Sequence, residues 1–225
     1  MKRKTQGNYY TLTFSVKFLH ENDTVFFAHS YPYTYSDLQR YLIRLETDPR
    51  KKLRFRRKVL CATLAGNNVD MLIVTSFAPQ GVDAAEQIKQ RKGVVISSRV
   101  HPGETGASFM VKGVIDYLVG PSLGARILRD NFVFKIIPML NPDGVINGNT
   151  RCNLAGVDLN RQWIEPNKKL HPSIFHMKMV IPLYPNCSID DKEVPRGSRG
   201  LSRLRYPWSL SEKEHLHVWQ FDPQE

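Results

Sequence analysis

The stretch Gly93-Val-Val-Ile-Ser-Ser-Arg-Val100 constrains the fold more than any other, because a run this rich in β-branched apolar residues suits a strand covered on both faces. Phe132 to Ile137 is a second such run, and between the two Ser108 to Leu118 and Ala125 to Arg129 carry helical spacing. Strand, helix, strand in this order predicts a crossover unit with parallel strands, and so an α/β fold: a doubly wound mixed sheet with helices on both faces. In such sheets ligands gather in the loops at the carboxyl ends of the strands. The residues that follow Val100 and Ile137 are therefore the ones to read for chemistry.

Elsewhere the patterns are shorter. Tyr9 to Phe18 alternates as a strand and Thr24 to His29 as another, with His20-Glu21-Asn22-Asp23 as the turn of a hairpin. Tyr31-Pro-Tyr-Thr-Tyr35 leads into a helix in which Ser36 is the expected N-cap, Leu38, Tyr41, Leu42 and Leu45 the buried stripe, and Asp48-Pro49 the stop. The three tyrosines read as packing groups. Val59 to Leu64 and Met71 to Phe77 make a strand pair around Gly66-Asn67-Asn68.

At 225 residues and 41% hydrophobic content the chain can bury a substantial core. No stretch approaches the ~18 apolar residues of a membrane helix, and the polar start Met1-Lys-Arg-Lys-Thr-Gln6 is not a secretory leader. Three cysteines, Cys61, Cys152 and Cys187, without metal spacing suit free thiols in a reducing compartment, and the expectation is a cytoplasmic protein. The net charge of +11 is uneven: up to Ile181 there are 26 Lys and Arg against 14 Asp and Glu, and beyond it 6 against 7. The dense run Arg50-Lys51-Lys52, Arg54, Arg56-Arg57-Lys58 could attract an acidic protein tail, a nucleic acid or an anionic membrane surface, or be a solvated basic edge. Neither zinc-finger spacing nor an RNA-binding aromatic signature accompanies it, which argues against nucleic acid as the partner.

The strand that stops at Val100 is followed by His101-Pro-Gly-Glu104, where a Pro-Gly turn can bring an imidazole and a carboxylate round one cation. Zinc accepts this N/O set and in hydrolytic sites keeps a position open. Asn141-Pro-Asp-Gly144 follows the second run with the composition of a tight turn. Arg151 comes seven residues after Gly144, and ten residues beyond that Arg161, preceded by Asn160. Two guanidiniums and an amide beside a metal pair match what the end of a peptide requires: a bidentate grip on a terminal carboxylate and a charge to stabilise an oxyanion.

His-Pro-Gly-Glu-Thr at 101–105, Pro-Met-Leu-Asn-Pro-Asp-Gly-Val-Ile-Asn-Gly-Asn at 138–149, Arg-Cys-Asn-Leu-Ala-Gly-Val-Asp-Leu-Asn-Arg-Gln-Trp at 151–163 and Tyr-Pro-Tyr-Thr-Tyr at 31–35 resemble the cytosolic carboxypeptidases, zinc enzymes that trim glutamates from tubulin and other acidic protein tails. The resemblance runs from about Tyr9 to Ile181. It implies Zn2+ held by His101 and Glu104, a carbonyl-polarising Arg151, and a terminal carboxylate held by Asn160 and Arg161. It also implies that residues 1–32 end a preceding β-rich domain and that residues 33–181 are the front part of the metallocarboxypeptidase domain, whose sheet is incomplete. Rival readings are an exopeptidase of other specificity, an amidohydrolase, and a non-catalytic module that binds C-terminal carboxylates.

From Pro182 the resemblance stops. The family continues to Asp-x-His-Gly-His-Ser, which brings the third zinc ligand, and later to a general-base Glu; residues 182–225 contain neither. His215 and His217 lack the glycine and the preceding apolar strand of that motif, and Pro182, Pro185, Pro195, Pro207 and Pro223 interrupt any periodicity. We expect an aberrant tail, disordered or poorly packed, and a chain without activity. Written as degenerate codons and read one base later, Tyr206 to Ser211 permits Ile-His-Gly-His-Ser, and Glu212 to Trp219 permits the family's continuation. Sequencing the message across the codons for Ile181 and Pro182 should reveal a retained intron, altered splice or shift that restores this motif. A message that encodes the tail in the written frame throughout would refute the out-of-frame origin.

Overall fold

The computed structural model describes residues 11–77, 87–181 and 217–221. At its centre β3 (Lys92–Ser97) and β4 (Phe132–Ile137) pair in parallel, with Lys92 opposite Phe132 and Ser97 opposite Ile137. Two helices, α2 (Thr105–Leu118) and α3 (Leu123–Asn131), make the crossover between them. β1 (Phe55–Ala62) and β2 (Asn68–Val74) form an antiparallel hairpin, and β2 pairs antiparallel with β4. The mixed sheet has the order β1-β2-β4-β3-β5, the last strand being His217–Phe221.

Each face of this sheet has its own core. On one, Leu72, Val74, Ile96 and Ile136 meet Leu38 and Leu42 of α1 (Tyr35–Thr47) and Val111, Ile115 and Leu118 of α2. On the other, Val69, Val95 and Ile137 meet Leu159 and, from α5 (Pro172–Val180), Ile174 and Met177. Helices thus cover both faces, as the continuous apolar pattern of β3 requires. Arg57 bridges β1 to α1 from within, donating to the buried Asp70 at 2.8 Å and to Glu46 at 3.0 Å.

Several boundaries differ from those read in the sequence. α1 is capped by Thr34, whose hydroxyl accepts from the Asp37 amide while Asp37 reaches back to the Thr34 amide. The acidic residue three positions on makes this reciprocal box, and Ser36, the expected cap, lies inside the helix. β1 begins at Phe55, four residues earlier than Val59, because Phe55 alone among the charged residues there turns into the core. The hairpin expected over Tyr9 to His29 forms no ladder within residues 11–34, and Tyr9 itself lies outside the described residues. Its arms do turn at Glu21 and Asn22, where Asn22 has φ 57°, and bring the Phe14 and Phe27 rings to 5.8 Å. Leu12, Phe18 and Phe26 are exposed, and two strands without a covered apolar face are marginal.

The tail departs from expectation over one stretch. His217–Phe221 is a strand, antiparallel to β3, with His217 opposite Ser97 and Phe221 opposite Gly93. Its Val-Trp-Gln-Phe sequence is rich in residues that favour strands, and it closes the edge that β3 would otherwise leave unpaired. The remaining tail residues, His215 among them, lie outside the described residues. No described helix is long and apolar enough to cross a membrane.

Leu42 is fully buried between α1 and the sheet. Leu42→Ala should therefore lower stability by about 2–5 kcal/mol, whereas Ile43→Ala, at a position 53% exposed, should change it by less than about 0.5 kcal/mol. Urea unfolding of the two variants measures the contrast.

Candidate metal and carboxylate site

Beyond the strand ends the parallel pairing continues into the loops. The Ser98 amide donates to Ile137 O at 3.0 Å, the Leu140 amide to Ser98 O at 2.9 Å, and Asn141 Nδ2 to Val100 O at 3.3 Å. The loops after β3 and β4 consequently lie side by side. Asn141-Pro-Asp-Gly144 is the start of a short helix, α4 (Pro142–Asn147), and not an isolated turn: Asn141 Oδ1 caps it by accepting from the Gly144 amide at 3.1 Å, and Pro142 occupies its first turn. The Gly103 amide donates to Thr150 O at 2.8 Å, and a Cβ at Gly103 would stand 2.8 Å from that same oxygen. At Gly144 a side chain would run into the Pro102 ring. Glycine is required at both positions by close approach.

His101 is 1% exposed and stands between two carboxylates, its Nδ1 2.7 Å from Glu104 Oε1 and its Nε2 3.0 Å from Asp158 Oδ1. Asp158 also takes Arg151 Nε on Oδ2 at 2.7 Å and the Asn160 amide on Oδ1 at 2.9 Å. Burial pushes the imidazole pKa down, but the hydrogen bond and charge of Glu104, with Asp158, outweigh it and raise the pKa. Burial pushes the Asp158 carboxyl up, and its bonds to His101, the Asn160 amide and Arg151 hold it below the usual range.

Of the residues singled out in the sequence, His101 and Glu104 converge, Arg151 joins them through Asp158, and Asn160 and Arg161 follow on the short 3-10 turn Leu159–Arg161. Arg161 is exposed. Asn160 Oδ1 accepts from Trp163 Nε1 at 2.9 Å. Indole N–H can only donate, so this bond fixes the flip of the amide and leaves Nδ2 as the donor. The basic run from Arg50 to Arg56 lies elsewhere. Phe55 pairs with Val74, and Val74 with Phe134, which puts the run at the end of the sheet opposite the loops. The hairpin turn at 63–67 is the part of that hairpin which reaches the site.

Sequence reasoning assigned no role to Asp158 or Asp143. Asp158 stood inside a recognised motif, but only folding shows it behind His101. Asp143 is buried and accepts from Thr63 Oγ1 at 2.6 Å, the Ala65 amide at 3.1 Å and Asn67 Nδ2 at 2.8 Å. It ties α4 to the β1–β2 turn, about eighty residues away in sequence. No local pattern signals that partner.

An imidazole nitrogen and a carboxylate oxygen at one point, with a second carboxylate on the far ring nitrogen, is the donor chemistry zinc uses, the outer carboxylate orienting the ligand. The pair supplies half of a tetrahedral set. Among the described residues no group of three His, Cys, Asp or Glu could hold a metal ion.

The zinc carboxypeptidase family profile matches residues 38–179, more than half of the chain. The chain belongs to the zinc carboxypeptidase family. Within it, the chain is 49% identical over 176 residues to cytosolic carboxypeptidase 1 of Xenopus laevis and 51% identical over 175 residues to cytosolic carboxypeptidase 4 of Homo sapiens. These matches cover 77% of this chain but only 14% and 16% of those proteins. Among solved structures, a metallo-carboxypeptidase from Burkholderia cenocepacia superposes with a TM-score of 0.57 at 30% identity, over 67% of this chain and 38% of that one. The chain therefore spans well under half of the carboxypeptidases it resembles.

Asp143→Ala would leave the Ala65 amide and the Thr63 and Asn67 side chains without their acceptor. We expect a loss of about 1–3 kcal/mol in stability and faster amide exchange across residues 63–67, read by urea unfolding and hydrogen exchange.

Proposed function

We propose that this chain carries part of the site of a zinc metallocarboxypeptidase that removes C-terminal residues, glutamates above all, from acidic protein tails such as that of tubulin, in the cytoplasm. As it stands, we propose, the chain is an inactive fragment. The observation that supports this best is the His101–Glu104 pair with Asp158 behind it, one carboxylate joining the imidazole to Arg151.

His101 Nδ1 and Glu104 would hold Zn2+, which when bound supplies a Lewis acid for the scissile carbonyl. Asp158 keeps the imidazole in one orientation and offers a carboxylate to Nε2–H, so that Nδ1 is the basic nitrogen. Arg151 spends its Nε on Asp158, and its side chain is half exposed, so the terminal nitrogens are available to an oxyanion forming on the substrate. Asn160 Nδ2 and Arg161 are donors placed to grip a terminal carboxylate. The Arg50 to Arg56 run stands at the end of the sheet opposite these loops, so in this reading it would meet the body of an acidic tail and not its last residue.

A second reading, a non-catalytic module that binds C-terminal carboxylates, is supported by one observation: Arg151, Asn160 and Arg161 are among the described residues beside the His101–Glu104 pair, whereas no group of three metal-binding side chains is found among them.

Glutamate release from a polyglutamate-tailed peptide should be absent or at least ~10²-fold below that of a complete site, since loss of a general base alone removes ~10²–10⁴ in rate. Release that a chelator and His101→Ala both abolish would contradict inactivity. In a version whose frame is restored, Arg161→Ala should chiefly raise KM, and Arg151→Ala should chiefly lower kcat, by about 10²–10³. Equal turnover of free and C-terminally amidated peptides would remove Asn160 and Arg161 from the proposed role.

A further inference from the structure

Arg99, two residues before His101, is 3% exposed and has φ 55°, a left-handed backbone that only glycine adopts without strain. A side chain held there costs about 1–3 kcal/mol and persists only where its surroundings over-determine it. The surroundings are specific. Nε donates to Pro102 O at 2.8 Å, and Nη1 donates to Tyr33 O at 3.1 Å and to Ser108 Oγ at 2.9 Å. One guanidinium therefore ties together the apex of the His101–Glu104 loop, the segment leading into α1, and the first turns of α2. None of these partners is a carboxylate. Burial lowers the pKa to about 10, which leaves the group charged at neutral pH.

We propose that Arg99 is a positioning residue of the metal site: its planar fork holds the carbonyl of Pro102 against α2, and so sets the distance and direction at which His101 and Glu104 face each other. The proposal rests on the reading of those two side chains as a metal pair. Lysine could keep the charge but cannot present two fixed donor directions, and glycine could keep the backbone but has no donor. Pro102 and Gly103, at the apex of the loop, have no polar side chain of their own to fix it. Besides the fork, the loop is tied by the Gly103 amide on Thr150 O, the Thr105 amide on Gly103 O and the Ala107 amide on Glu104 O, bonds that leave the Pro102 carbonyl to Arg99. Without the fork, the two ligands would remain in the sequence but sample several separations.

Arg99→Gly relieves the backbone and deletes the fork; Arg99→Lys keeps charge and most of the volume. Amide exchange of each variant is compared with the parent over residues 101–105 and over β3 and β4. Loop amides should exchange several-fold faster in both variants while the sheet amides keep their protection, and a few millimolar methylguanidinium should restore the loop in Arg99→Gly. Zinc affinity, by competition with a chromophoric chelator, should fall about tenfold or more in both variants, the usual cost of losing an orienting partner, and recover with methylguanidinium in Arg99→Gly. Parental loop exchange in Arg99→Lys would overturn the proposal, as would an equal loss of protection in loop and sheet. If His101→Ala leaves zinc affinity unchanged, the metal reading fails while the exchange data still decide whether Arg99 sets the loop.

Discussion

Parallel pairing of β3 with β4 is the constraint on which the rest depends. Two parallel neighbours end at the same edge, so the loops that follow them emerge together, and the hydrogen bonds of Ser98 and Leu140 extend the register past the last strand residues. An antiparallel arrangement would have sent the His101 loop and the Asn141 loop to opposite ends. The crossover that parallel pairing demands is also what supplies α2, whose first turn carries Ser108 and begins at the residue after Glu104.

Electrostatically the site is organised around acceptors. Asp158 serves an imidazole, a guanidinium and a backbone amide, so the side chains of Arg151 and His101 are held by a group that is itself fixed at the start of a 3-10 turn. Asp143 does the same for structure, collecting three donors from the β1–β2 turn. The dense basic run Arg50 to Arg56 stands at the other end of the sheet. Overall charge is thus a poor guide to the site, since Arg151 and Arg161, the guanidiniums proposed to meet a substrate, belong to the motif and not to the basic run.

What the sequence revealed follows the range of the forces involved. Val94 to Ile96 declares itself because burial on both faces leaves a continuous apolar run, Phe132 to Ile137 because five of its six residues are apolar, and α1 because Leu38, Leu42 and Leu45 repeat on one face. The two motif loops were legible as chemistry, though the Asn141 loop hid a helix cap within what looked like a turn. Contacts between distant segments were not legible: Asp143 with Thr63, Asp158 with His101 and Arg99 with Tyr33 each join residues that no local spacing relates. α5 escaped because its apolar residues lie on more than one side, and the strand at His217–Phe221 because the surrounding prolines masked a short run of strand formers. The N-terminal arms failed in the opposite way, with alternation in the sequence but no surface for the apolar side to cover.

The contact between Gly144 and Pro102 carries a consequence for how such a site can change over time. Neither loop has room for an added methyl group on the side facing the other, and Gly103 is equally closed by Thr150. A mutation that enlarges one loop is tolerable only if the other retreats in the same lineage. Changes at Pro102, Gly103, Gly144 and Thr150 should therefore be coupled, whereas the exposed positions of α1 and α3 are free to vary one at a time.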